Sequence, residues 1–209
     1  MNLVSTHNFV QPLSPEWIVY KSKPFCCPDT VWSPTAVAVS NGVLSITTSR
    51  QPDGSFIGGG VSMANIRSQT YGRWRVRMRL TGQVKMAVML WQTGQPPETS
   101  GNHAYEIDFA ETLDTGDTSD LTSTLHYPPG NQMAHHGVLE DLTQWNTIGV
   151  AWKPGELIYT FNGSVWATTV GSFVPDIPMH LALQTTNGLG QTDDASLEID
   201  RIKVWSYTP

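Results

Sequence analysis

Residues 71–80, Tyr-Gly-Arg-Trp-Arg-Val-Arg-Met-Arg-Leu, decide how this chain folds. Trp74, Val76, Met78 and Leu80 alternate without a break with Arg73, Arg75, Arg77 and Arg79. Period two is the signature of a β-strand with one dry face and one wet face. The arginine row suggests a polyanion site at first sight, but a solvated outer face balanced by neighbouring acids explains it more simply. Working outward, Gly42–Ser49 (GVLSITTS) reads as an earlier strand, and Pro52-Asp53-Gly54 with Gly58-Gly59-Gly60 reads as loop punctuation. Lys85–Thr93 (KMAVMLWQT) is apolar on both faces, which predicts a central strand. Leu121–Tyr127, Asn146–Lys153, Met179–Thr186 and Ser196–Tyr207 follow. Glu156–Thr168 forms a hairpin turning at Asn162-Gly163, the strongest short hairpin signal. Ten or more strands without a convincing amphipathic helix predict an all-β fold of two packed antiparallel sheets, a jelly-roll β-sandwich. Composition agrees, since 18 Gly and 14 Pro among 209 residues provide many turns while charged residues make up only 14%. That length suits a single β-sandwich domain spanning 1–209.

The chemistry concentrates in Glu106-Ile107-Asp108-Phe109-Ala110-Glu111. Glu106 and Asp108 share a strand face, whereas Glu111, five positions after Glu106, faces away in a regular strand. One extra residue in a β-bulge at Phe109 or Ala110 returns it to the shared face. The two glutamates then stand four steps apart, roughly 13 Å along the backbone, and leaning side chains on a curved sheet narrow that gap. Retaining glycosidases hold two carboxyl groups about 5 Å apart, so the segment can host a nucleophile and a general acid/base with Asp108 between them. Acidic strand faces are commonly just solvated. Here the intervening residues are apolar, and three like charges on one face repel each other, an arrangement usually kept for chemistry.

A net charge of −6 and a pI near 5.4 give no attraction for polyanions, which argues against nucleic acid as a partner. Eight Trp and six Tyr build an aromatic core or line a cleft on which sugar rings stack. Cys26 and Cys27 are adjacent, lack metal-ligand spacing and read as free, buried thiols. The first residues, MNLVSTHNFVQPLSPEW, lack a basic region followed by an apolar one, and no apolar run approaches membrane-spanning length, so no membrane partner is expected. Work outside a cell or at its envelope then requires a removed signal, or delivery by a larger assembly such as a virion.

Taken in order along the chain, these segments resemble glycoside hydrolase family 16, which includes laminarinases, lichenases, agarases and carrageenases. EIDFAE resembles the family's E-x-D-x-x-E signature in its bulged form, as in laminarinase- and agarase-like members; the lichenase-like branch uses the unbulged form. NGVLSI, IRSQTYGRWRVRMRL, the strand ending in Leu90-Trp91, LHY, WNTIGVAWKPGELIYTFNGSVW and LEIDRIKVW are similar to family segments in the same order, over roughly residues 40 to 207. The resemblance implies a concanavalin A-like jelly roll with a concave substrate cleft, and an endo-acting, retaining hydrolase of β-linked polysaccharides. By resemblance, Glu106 is the nucleophile, Glu111 the acid/base and Asp108 the assisting aspartate. Substrate contacts fall on Trp91 as an aromatic platform, His126, Tyr105, Arg67 and Gln184. Tyr105 replaces a usual glycine and adds bulk beside the nucleophile. The stretch QPPETSGNHAY replaces a usual Trp-Pro pair, removing one expected sugar platform. No cofactor or metal enters the chemistry; the fold often carries a structural calcium, for which the sequence designates no ligands. The partner is a polysaccharide, and the protein a monomer unless part of a larger assembly. An alternative of another class is a carbohydrate-binding module that uses the same groove without turnover.

Overall fold

The arginine-bearing strand of residues 72–81 has little choice of packing: its apolar row needs a second sheet to cover it, and a sandwich supplies one. The computed structural model describes residues 1–24, 26–94 and 105–209. In these, sixteen strands follow one another: β1 (Asn2–His7), β2 (Ile18–Val19), β3 (Thr30–Trp32), β4 (Val37–Ser40), β5 (Val43–Arg50), β6 (Phe56–Ser62), β7 (Gly72–Thr81), β8 (Lys85–Gln92), β9 (Glu106–Glu111), β10 (Asp120–Tyr127), β11 (Gln132–Leu139), β12 (Asn146–Lys153), β13 (Glu156–Phe161), β14 (Ser164–Val170), β15 (Met179–Thr186) and β16 (Ala195–Ser206). The only helical turn among the described residues is 3₁₀, Pro34–Ala36, capped by the Ser33 hydroxyl.

One sheet runs β11-β10-β9-β8-β15-β6 and the other β5-β16-β7-β12-β13-β14, joined where β5 pairs with β6. Apart from the parallel pairing of β3 with β6, every ladder is antiparallel. Trp74, Val76, Met78 and Leu80 of β7 are at most 2% exposed and meet Val88, Leu90, Ile107, Phe109 and Leu183 of the facing sheet in one core. The arginines lie on the outer side of their sheet. Arg77 pairs with Asp200, Arg79 Nε reaches Glu198 at 2.7 Å, and the guanidinium groups of Arg77 and Arg79 cover the Trp145 ring at 5.0 and 4.9 Å. Acids on the neighbouring strand balance Arg77 and Arg79, while Arg73 and Arg75 lie over the Trp205 ring.

Two local expectations are corrected. Gly58-Gly59-Gly60 is the middle of β6 and no loop. The glycines are there for close packing: a Cβ on Gly60 would lie 2.3 Å from the Tyr20 ring, and one on Gly58 would lie 2.5 Å from the Thr185 carbonyl. Cys26 and Cys27 are both free, but only Cys27 is buried; Cys26 is exposed.

Candidate active site

On β8 the alternation divides Met86, Val88 and Leu90, which enter the core, from Ala87, Met89 and Trp91, which form a small apolar patch with Ala182 on the other face of the sheet. That second face carries the acids. Trp91 stands opposite Glu106, Met89 opposite Asp108 and Ala87 opposite Glu111 on β9. On the far side β10 sets His126 against Glu106, Thr124 against Asp108 and Thr122 against Glu111. Both ladders slip by one residue between Asp108 and Glu111, so the chain spends three residues on two ladder steps. That is the bulge at Phe109-Ala110, and both its residues are fully buried. Just beyond it, Thr112 Oγ1 donates to the Val84 carbonyl at 2.6 Å and accepts from Met86 N–H at 3.0 Å, pinning the end of β9 to β8.

Glu106, Asp108 and Glu111 line one cavity of about 300 Å³ together with Cys26, Lys85, Met86, Ala87, His126, Asn131, Gln184 and Thr186. Asp108 is only 2% exposed. Burial pushes its carboxyl well above the usual range, the Glu111 charge adds to that, and a hydrogen bond with Glu106 opposes it. A hydrogen bond between two carboxyl groups needs a proton on one of them, because ionised carboxylates only accept. One proton is therefore shared by the pair: burial favours it on Asp108, while the lowering sense of the bond has Asp108 as the acceptor. Burial also raises Glu111, against the opposing pull of His126, a hydrogen bond from Thr124, Lys85 and His135. Thr124 Oγ1 donates to Glu111 Oε2 at 3.2 Å. His126 is held between two groups: Nδ1 lies 2.7 Å from Asn131 Oδ1, an acceptor, and Nε2 lies 3.4 Å from Asp108 Oδ2.

Of the residues singled out in the sequence, the structure gathers Glu106, Asp108, Glu111, His126 and Gln184 around the cavity, and puts Trp91 on the same face opposite Glu106. Two others go elsewhere. The Tyr105 ring packs against the hydrophobic core, since successive side chains take opposite faces and Glu106 takes the open one; the expected bulk beside Glu106 is not there. Arg67 sits in the turn after β6, where its N–H bonds the Met63 carbonyl, and does not line the cavity. Residues 95–104 of the QPPETSGNHAY stretch lie outside the described residues. Lys85, Thr186, Asn131 and Cys26 are additions. Lys85 shares a face with Ala87 and Trp91, so counting by twos along β8 would have found it; its Nζ reaches Asp114 Oδ1 at 2.5 Å. Cys26 Sγ lies 2.6 Å from Cys27 Sγ, and this shared hydrogen bond draws Cys27 down to about 6 while raising Cys26.

Glu106, Asp108 and His126 place one potential metal-binding atom each within 4.8 Å of one another. Ca²⁺ takes six to eight oxygen ligands, about twice what this mixed set offers, so the trio does not fit the structural calcium that the resemblance allowed.

Glycosyl hydrolases family 16 matches residues 28–203 of this chain. The chain belongs to that family. Its fold is that of solved family 16 structures at low identity. The laminarinase catalytic domain of Thermotoga maritima is 17% identical with a TM-score of 0.81, covering 100% of this chain and 99% of that one. A LamA variant of Zobellia galactanivorans in complex with laminaritriose and laminaritetraose is 18% identical with a TM-score of 0.80, covering 98% and 99%. A Bacteroides ovatus family 16 protein of a mixed-linkage glucan system, bound to an oligosaccharide product, is 14% identical with a TM-score of 0.80, covering 96% and 99%. A comparison with curated proteins finds no match. Family 16 membership makes this chain a glycoside hydrolase by descent, with Glu106, Asp108 and Glu111 on the open face of its β-sandwich.

Proposed function

We propose that this family 16 protein is an endo-acting, retaining hydrolase that cuts internal β-glycosidic bonds of a polysaccharide by double displacement. The observation that carries the reading is the bulge of β9, which turns Glu111 to the face of Glu106 and Asp108 inside one cavity. Glu111, raised by burial, holds the proton that the leaving glycosidic oxygen needs. Glu106 attacks the anomeric carbon as a carboxylate and forms a glycosyl-enzyme; Glu111 then removes a proton from the water that attacks it. Asp108 shares a hydrogen bond with Glu106 in its buried seat and orients it, and His126 braces Asp108 from the neighbouring strand. Gln184 and Trp91 contact the sugar chain on the β15 and β8 side. These steps run on carboxyl groups alone and assign no role to a metal.

The substrate class we assign first is a β-glucan, because the structures similar to this chain include laminarinases and endo-β-1,3-glucanases. A polymer of that size places the site of action outside the cell or at an envelope. The test is release of reducing ends from a panel of β-glucans, galactans and plant and mycobacterial wall polymers, with Glu106→Gln and Glu111→Gln alongside the wild type. Release by the wild type and loss in both variants supports the reading. Binding to the panel with no release by the wild type would replace it with a non-catalytic binding protein.

A further inference from the structure

We propose that His135 is a positioning residue for the general acid: acting through Thr124, it fixes which oxygen of Glu111 carries the proton. The inference rests on the acid/base role given to Glu111 above. Thr124, on β10, is 3% exposed, and its Oγ1 lies 3.2 Å from Glu111 Oε2 and 3.0 Å from Nδ1 of His135, its ladder partner on β11. A hydroxyl has one hydrogen to give. When Thr124 donates it to Oε2, the same oxygen atom must accept from His135, so Nδ1 carries a hydrogen. Glu111 Oε2 is then occupied as an acceptor, and the acid's own proton resides on Oε1. The reverse arrangement puts the proton on Oε2, passes a hydrogen bond through Thr124 to a bare Nδ1, and leaves Oε1 with nothing to give the leaving group. Which of the two holds depends on one nitrogen of an exposed imidazole.

The productive step balances with Thr124 and His135 keeping their protons. The Glu111 Oε1–H bond breaks and its hydrogen passes to the glycosidic oxygen. The bond from that oxygen to the anomeric carbon breaks, its electron pair stays with the oxygen, and a Glu106 oxygen bonds to the carbon. Other groups bearing on Glu111 are Lys85 from β8, His126 from β10 and Asp108 on its own strand, while Cys26 lines the same cavity. None of these contacts Thr124 by a hydrogen bond among the described residues, so its orientation is set by Glu111 and His135.

Two substrates separate this role from a structural one. A β-1,3-glucan needs its leaving oxygen protonated; an aryl β-oligoglucoside with a dinitrophenolate leaving group does not, and its burst of phenolate reports the first step alone. His135→Ala and Thr124→Val should lower kcat on the glucan about tenfold, within the roughly 10²–10⁴ that a general acid supplies in all. The burst rate should stay within about twofold of wild type. His135→Asn places an amide N–H where Nδ1–H stood and should restore the glucan rate; Thr124→Ser should do the same. His135 is exposed, so its variants test the idea even where Thr124→Val fails to fold. Equal loss on both substrates, or no loss in His135→Ala, overturns the proposal. If the wild type cleaves the glucan, Glu111→Ala loses it selectively and His135→Ala matches wild type, only the positioning role falls. If Glu111→Ala keeps the glucan rate, the acid assignment itself falls.

Discussion

Deleting Ala110 should leave a folded protein whose second glutamate still faces the cavity. Between Asp108 and Glu111 the ladders advance from Met89 to Ala87 and from Thr124 to Thr122, two steps or roughly 6.6 Å, while the chain uses three residues. Without Ala110 the strand reads Glu-Ile-Asp-Phe-Glu. Its three acids then alternate regularly outward, and Ile107 and Phe109 still point into the core. The loss is one fully buried methyl group, about 0.8 kcal/mol by area, plus the local twist the bulge supplies, so the expected destabilisation is about 1–2 kcal/mol. Inserting a second alanine after Ala110 is the opposite perturbation. It turns the glutamate toward the core side, where an unpaired carboxylate costs several kcal/mol. Urea denaturation measures stability and reducing-end release measures activity. The deletion should retain a cooperative transition with a lower midpoint and measurable turnover, while the insertion should lose both. A deletion variant as unstable and inactive as the insertion would refute the two-step reading of the bulge.

Asp108→Asn should flatten part of the pH dependence of stability. In the folded protein Asp108 titrates well above its ordinary 3.8, so the folded state binds more protons than the unfolded chain from about pH 3.8 up to that raised value. Stability therefore falls as pH rises through this window, and the amide removes that contribution. The gain in Tm of Asp108→Asn over wild type should grow between pH 4 and 8; a constant difference would contradict the burial argument. Gly60→Ala should cost about 1–3 kcal/mol in urea denaturation, because its Cβ would lie 2.3 Å from the Tyr20 ring, which must move. Burial holds the Tyr20 phenol up to about 12, so a displaced ring should titrate closer to 10 by ultraviolet absorbance. An unchanged stability and phenol titration would mean that Tyr20 does not pack on β6.

What the sequence disclosed followed how local each signal is. β7, the Asn162-Gly163 hairpin and the three acids were legible because period two, a turn pair and one misfit in a count are all contained within about ten residues. β6 was hidden by its glycines, whose reason lies in Tyr20 and Thr185, far away in sequence. β11 was missed because its burial alternates but its polarity does not: Met133 and Leu139 lie on the exposed face, and His136 sits with Ala134 and Val138 on the partly covered one. Pairing of β10 with β11 is what delivers His135 to Thr124, and so it stayed out of view with that strand. Asn131 and Cys26 enter the cavity from turns, and only the folded chain brings them there. Tyr105 adjoins Glu106 in sequence but not in space, because the chain sends the two side chains to opposite sides.

The central claim is that Glu106 and Glu111, brought to one face by the bulge, perform a double displacement. Proton NMR of the first reducing ends released from a β-1,3-glucan tests it most directly, before mutarotation scrambles them. Two inversions at the anomeric carbon predict that the β-anomer appears first. An initial α-anomer would mean a single displacement by water and would remove the nucleophile's role from Glu106.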